Sequence, residues 1–191
     1  MKLLLFDIDG TLLRTRGVGR QAVTSALSEV CGRSISTDTI SFSGRTDPQI
    51  FREAVLRNGY TEPDAEQLVP EAFAVYVEMM RQSLKPDTVD VMPGAHDLLA
   101  RLAEQPNVHL ALLTGNLEPT AYLKLEAAGL ADYFPFGAFG SDHADRPALT
   151  SIAIQRARIH TNHDFTGKNV VIIGDTEHDI RCGDAIGAFS V

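Results

Sequence analysis

Four short apolar runs, LLLF (3–6), VHLALL (108–113), FGAF (136–139) and VVII (170–173), constrain this chain more than any other feature. Helical patterns lie before and between the last three: PGAHDLLARLAEQ (93–105), PTAYLKLEAAG (119–129) and LTSIAIQRAR (149–158). Strands that alternate with helices predict a parallel sheet, because each parallel pair needs a crossover and the crossovers bury both faces. The expected class is therefore α/β, a Rossmann-like core around a parallel sheet.

The stretch from 14 to 90 departs from that alternation. It reads as three helices, GRQAVTSALSEVCG (19–32), DPQIFREAVLRNG (47–59) and DAEQLVPEAFAVYVEMMRQSL (64–84), with no strand. Asp64 and Gln67 resemble a capping box, Pro48 suits a first helical turn, and Pro70 marks a kink or the true start of the third helix. The predicted organisation is a discontinuous core, residues 1–13 and 91–191, carrying an inserted helical domain over residues 14–90. Gly17, Pro86 and Pro93 place hinges near 14–17 and 86–92.

Hydrophobic content of 44% and charged content of 22% are those of a folded soluble protein. A net charge of −8 argues against a nucleic-acid footprint, yet leaves room for an anionic substrate where cations or a metal gather in one cleft. Cys31 and Cys182 form no Cys-x-x-Cys pair and read as free thiols of a reducing compartment. The apolar run of MKLLLFDIDG is too short for a signal peptide or a membrane span, so a cytoplasmic protein without membrane contact is expected. Oligomeric state leaves no trace in the sequence.

Chemistry gathers at the strand ends. LLLF runs into Asp7, Asp9, Gly10 and Thr11, VHLALL into Thr114, Gly115 and Asn116, and VVII into Asp175 and Asp179. In open α/β sheets ligands bind beyond the carboxyl ends of the strands, where these groups converge. Asp7, Asp9 and Asp175 are hard oxygen donors of the kind Mg²⁺ takes, and one carboxylate left partly free can attack phosphorus. The hydroxyl and amides of Thr114, Gly115 and Asn116 can donate to phosphoryl oxygens, with a cation to offset the remaining charge.

DIDGT, LLTGN and GDTEHD, in this order, resemble motifs I, II and IV of the haloacid dehalogenase superfamily of phosphohydrolases. The helical insert is similar to its C1-type cap, and the whole chain looks most like phosphoglycolate-phosphatase-like members. The resemblance implies Asp7 as nucleophile and Asp9 as acid, then base. It implies Mg²⁺ held by Asp7, the Asp9 carbonyl and Asp175 with support from Asp179, and a phosphoryl group on Thr114. Dehalogenases of the superfamily lack the second aspartate, so Asp9 points to a phosphatase. The third motif is a lysine or arginine, often before proline, and Arg146-Pro147 fits it by order; its guanidinium fork could contact Asp7 and a phosphoryl oxygen together.

Asp142, His143 and Asp145 beside it read as loop or capping residues, and His178 as a loop histidine. RGVGRQA (16–22) matches a dinucleotide fingerprint in letters only, since no strand precedes Gly17 directly. In SGRTD (43–47), Arg45 at a helix start is the candidate for reading the non-reacting part of the substrate.

The implied activity is Mg²⁺-dependent hydrolysis of a small phosphorylated metabolite through an aspartyl-phosphate. The alternatives are phosphoglucomutase-type transfer, a receiver-like module and a degenerate anion-binding member. The family pattern continues past motif IV with another strand, so AFSV at 188–191 is expected to be a stub of it or the start of a longer native end.

Overall fold

The central strand, β1 (Lys2–Phe6), leads directly into Asp7. A computed structural model describes the chain from Met1 to Val191. After β1 come β2 (Leu13–Arg14), α1 (Val18–Val30), α2 (Asp47–Arg57), α3 (Glu62–Ser83) and β3 (Asp90–Val91). The remainder alternates as α4 (Ala95–Ala103), β4 (Val108–Leu113), α5 (Glu118–Ala127), β5 (Gly137–Ala138), α6 (Arg146–Thr161), β6 (Val170–Ile173), α7 (Glu177–Asp184) and β7 (Phe189–Ser190). The main sheet has the order β5-β4-β1-β6-β7, with every pair parallel.

Side chains of successive strand residues point to opposite faces, and here both faces are buried. Leu3, Leu5, Ala111 and Leu113 pack with Leu149, Ala153 and Ala157 of α6 and Cys182 of α7. Phe6, Leu110 and Leu112 belong to the other face, with Leu99 of α4 and Leu125 of α5. That second cluster continues into the helical segment through Leu27, Phe51 and Tyr76. None of the helices is long and apolar enough to cross a membrane.

Three local expectations change. The third helix starts at Glu62, with Thr61 and Asp64 forming the capping box in place of Asp64 and Gln67. It runs through Pro70 without a break, because Pro70 and Glu66, whose carbonyl loses its partner, both face solvent while Ala65, Val69, Ala72 and Tyr76 hold the buried side. The segment between the core strands is also not wholly helical: β2 and β3 pair antiparallel at its two ends, and Arg16 forms an ion pair with Asp90 across them. The predicted hinge segments therefore touch each other.

Candidate active site

Parallel pairing brings Phe6 level with Leu112 and Ile173, so β1, β4 and β6 release their next residues at one edge. Asp7 stands there, only 4% exposed, with its backbone N–H donating to the Ile173 carbonyl at 2.9 Å. Asp7, Asp175 and Asp179 each bring a carboxylate oxygen to within 4.8 Å of one another. Gly10, at φ 90°, lets the turn after β1 close over this cluster; a Cβ there would lie 2.2 Å from Asp175 Oδ2.

Arg146, at the first turn of α6, is the buried cation of the cluster. Its Nη2 lies 2.9 Å from Asp7 Oδ2 and donates to Asp179 Oδ1 at 2.6 Å, so one nitrogen reaches both acids. The second partner is a carboxylate of the fourth motif. Asp179 also accepts from the Thr176 N–H and hydroxyl at 3.0 and 2.7 Å, capping α7. Burial pushes the Asp7 carboxyl up from its ordinary value, against the pull of Arg146 and with help from Asp179 and Asp9. For Arg146, burial works against the charge, and Asp7 and Asp179 outweigh it, leaving its pKa raised.

Asp9 has a different cation. Lys124 Nζ, on α5, donates to Asp9 Oδ1 at 2.8 Å and Oδ2 at 2.6 Å, and to Asn116 Oδ1 at 2.6 Å. The Asn116 amide nitrogen donates to Asp9 Oδ2 at 2.8 Å and to Thr114 Oγ1 at 2.7 Å. The side chain of Asn116 thus serves Asp9 and Thr114.

The helical segment docks onto this edge by the start of α2. Asp47 N–H donates to the Gly115 carbonyl at 2.7 Å, and Thr46 Oγ1 to the Ala144 carbonyl at 2.7 Å. Asp47 Oδ2 in turn accepts from the Leu117 N–H at 2.9 Å. Gly115 is required by this approach, since a Cβ would lie 2.1 Å from the Arg45 carbonyl oxygen. Burial lifts the Asp47 carboxyl from 3.8 to about 6, despite Lys124 and the Leu117 N–H.

A carboxyl raised on folding binds its proton more tightly in the native state, so its contribution is fully present below the unfolded value and is lost as pH rises through about 6. The loss is on the order of 2–3 kcal/mol. Asp47→Asn keeps an acceptor for Leu117 and is expected to flatten the decline of thermal stability between about pH 4 and pH 6. Melting curves of both proteins across that range check it, and parallel pH profiles would sink the expectation.

Arg45 lines the same cleft, but its guanidinium pairs with Glu53 and donates weakly to the Gln49 carbonyl at 3.4 Å. The cleft holds about 280 Å³ and is mostly polar, with Thr15, Arg20, Phe42 and Tyr76 contributed from the side of the helical segment. His178 packs against Gly44 of the Arg45 loop. Asp142 is bound bidentately by Arg156 of α6 at 2.6 and 2.7 Å, and His143 Nδ1 accepts from the Asp145 backbone N–H at 2.9 Å.

A family model described as haloacid dehalogenase-like hydrolase matches residues 4–191. The chain belongs to that family. Among relatives of this hydrolase, a phosphoglycolate phosphatase of Nitrosospira multiformis is 27% identical over 98% of this chain and 81% of its own. The pyrophosphatase PpaX of Oceanobacillus iheyensis is 23% identical over 96% of this chain and 78% of its own. In structure, CbbY from Rhodobacter sphaeroides, solved with phosphate, superposes with a TM-score of 0.75 at 19% identity, over 100% of this chain and 84% of its own.

Sequence reasoning passed over two residues of the hydrolase's site, Lys124 and Asp47. Lys124 had left a signal, for it lies on the buried side of α5 with Thr120, Ala121 and Leu125, where an unpaired charge is costly. Asp47 left none, because an acid in the first turn of a helix is ordinary.

Proposed function

We propose that this hydrolase is a Mg²⁺-dependent phosphatase acting on a small phosphomonoester through an aspartyl-phosphate on Asp7. The observation that carries the reading is the pairing of a buried Asp7 with Arg146 while Asp9, two residues on, is held by a separate cation. This division supports attack by Asp7 and proton transfer by Asp9. Asp7 forms the new bond to phosphorus as the ester oxygen leaves with a proton from Asp9. The Asp9 carboxylate then takes a proton from the water that attacks the phosphoryl group, returning Asp7 as carboxylate and releasing inorganic phosphate.

The Thr114 hydroxyl and the backbone N–H groups of Gly115 and Asn116, at the end of β4, would donate to the phosphoryl oxygens. The donor set fits Mg²⁺: oxygens across an octahedron of bonds near 2.1 Å lie about 4.2 Å apart, so carboxylates within 4.8 Å converge with a small shift. Asp7, the Asp9 carbonyl and Asp175 would hold the ion, with Asp179 supporting, and its charge would offset that of the phosphoryl oxygens. Residues 14–90 act as the cap of a C1-type member on the core of residues 1–13 and 91–191. Docking of Thr46 and Asp47 closes the cleft against water.

A volume of about 280 Å³ lies at the lower edge of small-molecule sites and suits a metabolite of phosphoglycolate size, the substrate in the relative's name. Arg45 is the cap residue that meets the end of the substrate away from phosphorus. The test is a phosphate-release screen over phosphoglycolate, sugar phosphates and nucleoside monophosphates, with Mg²⁺ and with a chelator. Release with Mg²⁺ and loss of at least about 10²-fold on chelation is expected. Chelator-resistant release, or an isomerised ester in place of phosphate, would defeat the reading. Mg²⁺ should also raise the thermal midpoint, and Asp175→Asn should diminish that rise.

A further inference from the structure

We propose that Lys124 is the positioning residue for Asp9, fixing the carboxylate in the one orientation from which it can serve both proton transfers. The inference rests on the acid/base reading of Asp9 given above.

Lys124 is 4% exposed and lies with Thr120, Ala121 and Leu125 on the inward side of α5. A buried ammonium costs several kcal/mol in lost hydration, and an apolar side chain of the same volume in such a place is often as stable or more so. Stability is therefore a weak reason for a lysine here, and its partners give a better one.

An ammonium has three donors and no acceptor. At Lys124 the oxygens within reach are both of the Asp9 carboxylate and Oδ1 of Asn116. Asn116 closes the ring through its amide nitrogen, which donates to Asp9 Oδ2 and Thr114 Oγ1. The reverse placement of that amide would set its NH₂ against the ammonium, so Lys124 also decides which way Asn116 faces. The carboxylate itself is 45% exposed in the cleft and, without this clamp, is free to turn toward water. Arg146 cannot substitute, since its contacts are with Asp7 and Asp179. Two buried cations thus divide the work, one for each aspartate of the DxD pair.

The consequence is specific. Loosening Asp9 should slow protonation of a poor leaving group and activation of the hydrolytic water, while leaving attack of Asp7 on an ester that needs no acid nearly untouched. The experiment measures kcat and kcat/KM of Lys124→Met, close to lysine in length, on 2,4-dinitrophenyl phosphate and on an alkyl phosphate.

On the alkyl ester, kcat/KM should fall by about 10²-fold. On the dinitrophenyl ester, kcat/KM should stay within about threefold while kcat and KM fall together, as expected when only hydrolysis of the aspartyl-phosphate is slowed. Added to Asp9→Asn, the substitution should cost little more. Lys124→Gln, shorter and polar but without the charge, carries the same expectation if the methionine protein does not fold. Equal losses of kcat/KM on both esters, or no loss, with Asp9→Asn still selective for the alkyl ester, would overturn the role of Lys124 alone. An Asp9→Asn protein that shows no selectivity would overturn both this role and the acid/base reading.

Discussion

Asp7→Asn is expected to lower phosphate release from every phosphomonoester by at least about 10⁴-fold, with the protein still folded. The amide keeps the size of the carboxylate and sits in the same buried place at the end of β1, but its nitrogen cannot attack phosphorus. Fold loss is not the expected cause. Burial already disfavours the charged form of Asp7, and Arg146 retains Asp179 at 2.6 Å when Asp7 is neutral. One cation then faces one buried acid where it had faced two, so the thermal midpoint near neutral pH should hold or rise. Activity within tenfold of the unaltered protein, with an intact melting transition, would remove Asp7 as nucleophile and the aspartyl-phosphate with it.

Arg146→Ala should have the second largest effect, on both stability and turnover. It leaves Asp7 and Asp179, at 4% and 2% exposure, facing each other with no cation between them. Removing one partner of a buried ion pair costs about 3–5 kcal/mol. Turnover should fall by about 10³-fold, because the cation next to the nucleophile is lost as well. Arg146→Lys separates this from a need for arginine geometry. Nη2 is a nitrogen that reaches both acids, so an ammonium can take its place, and its shorter reach should cost about tenfold. Melting curves and phosphate-release rates on the two variants decide. A silent alanine would reduce Arg146 to a structural residue, and a lysine variant as impaired as alanine would show that the guanidinium shape matters.

Much of the fold is legible in the sequence, for a simple reason. A strand buried on both faces must be a short continuous apolar run, and four such runs marked β1, β4, β5 and β6. Helix ends were read less well where local rules compete. Asp64 can serve as a first capping residue or as the third residue of a helix that begins earlier, and Thr61 chose the second. Pro70 looked like a break because its cost was judged locally, whereas the buried stripe from Ala65 to Met80 carries the helix past it.

At the site, residue types and order pointed to the acids Asp7, Asp9, Asp175 and Asp179, because such chemistry needs those groups after strands that end together, and the family resemblance pointed to the cation Arg146. Beyond the contact of Arg146 with Asp7 that the resemblance implied, partnership was not legible. Which acid Arg146 would share with Asp7, that Asn116 would turn its side chain to Asp9, and that a lysine on α5 would reach the second aspartate of β1's loop all depend on contacts between residues far apart in the chain. Lys124 and Asp9 are separated by 115 positions, and Asp47 and Leu117 by 70. Local pattern carries the hydrophobic period, the caps and the list of reactive groups, since these arise from neighbours along the backbone. Assignment of each cation to its acid is settled by packing, because a buried charge must be met by whatever group the fold brings within hydrogen-bond reach.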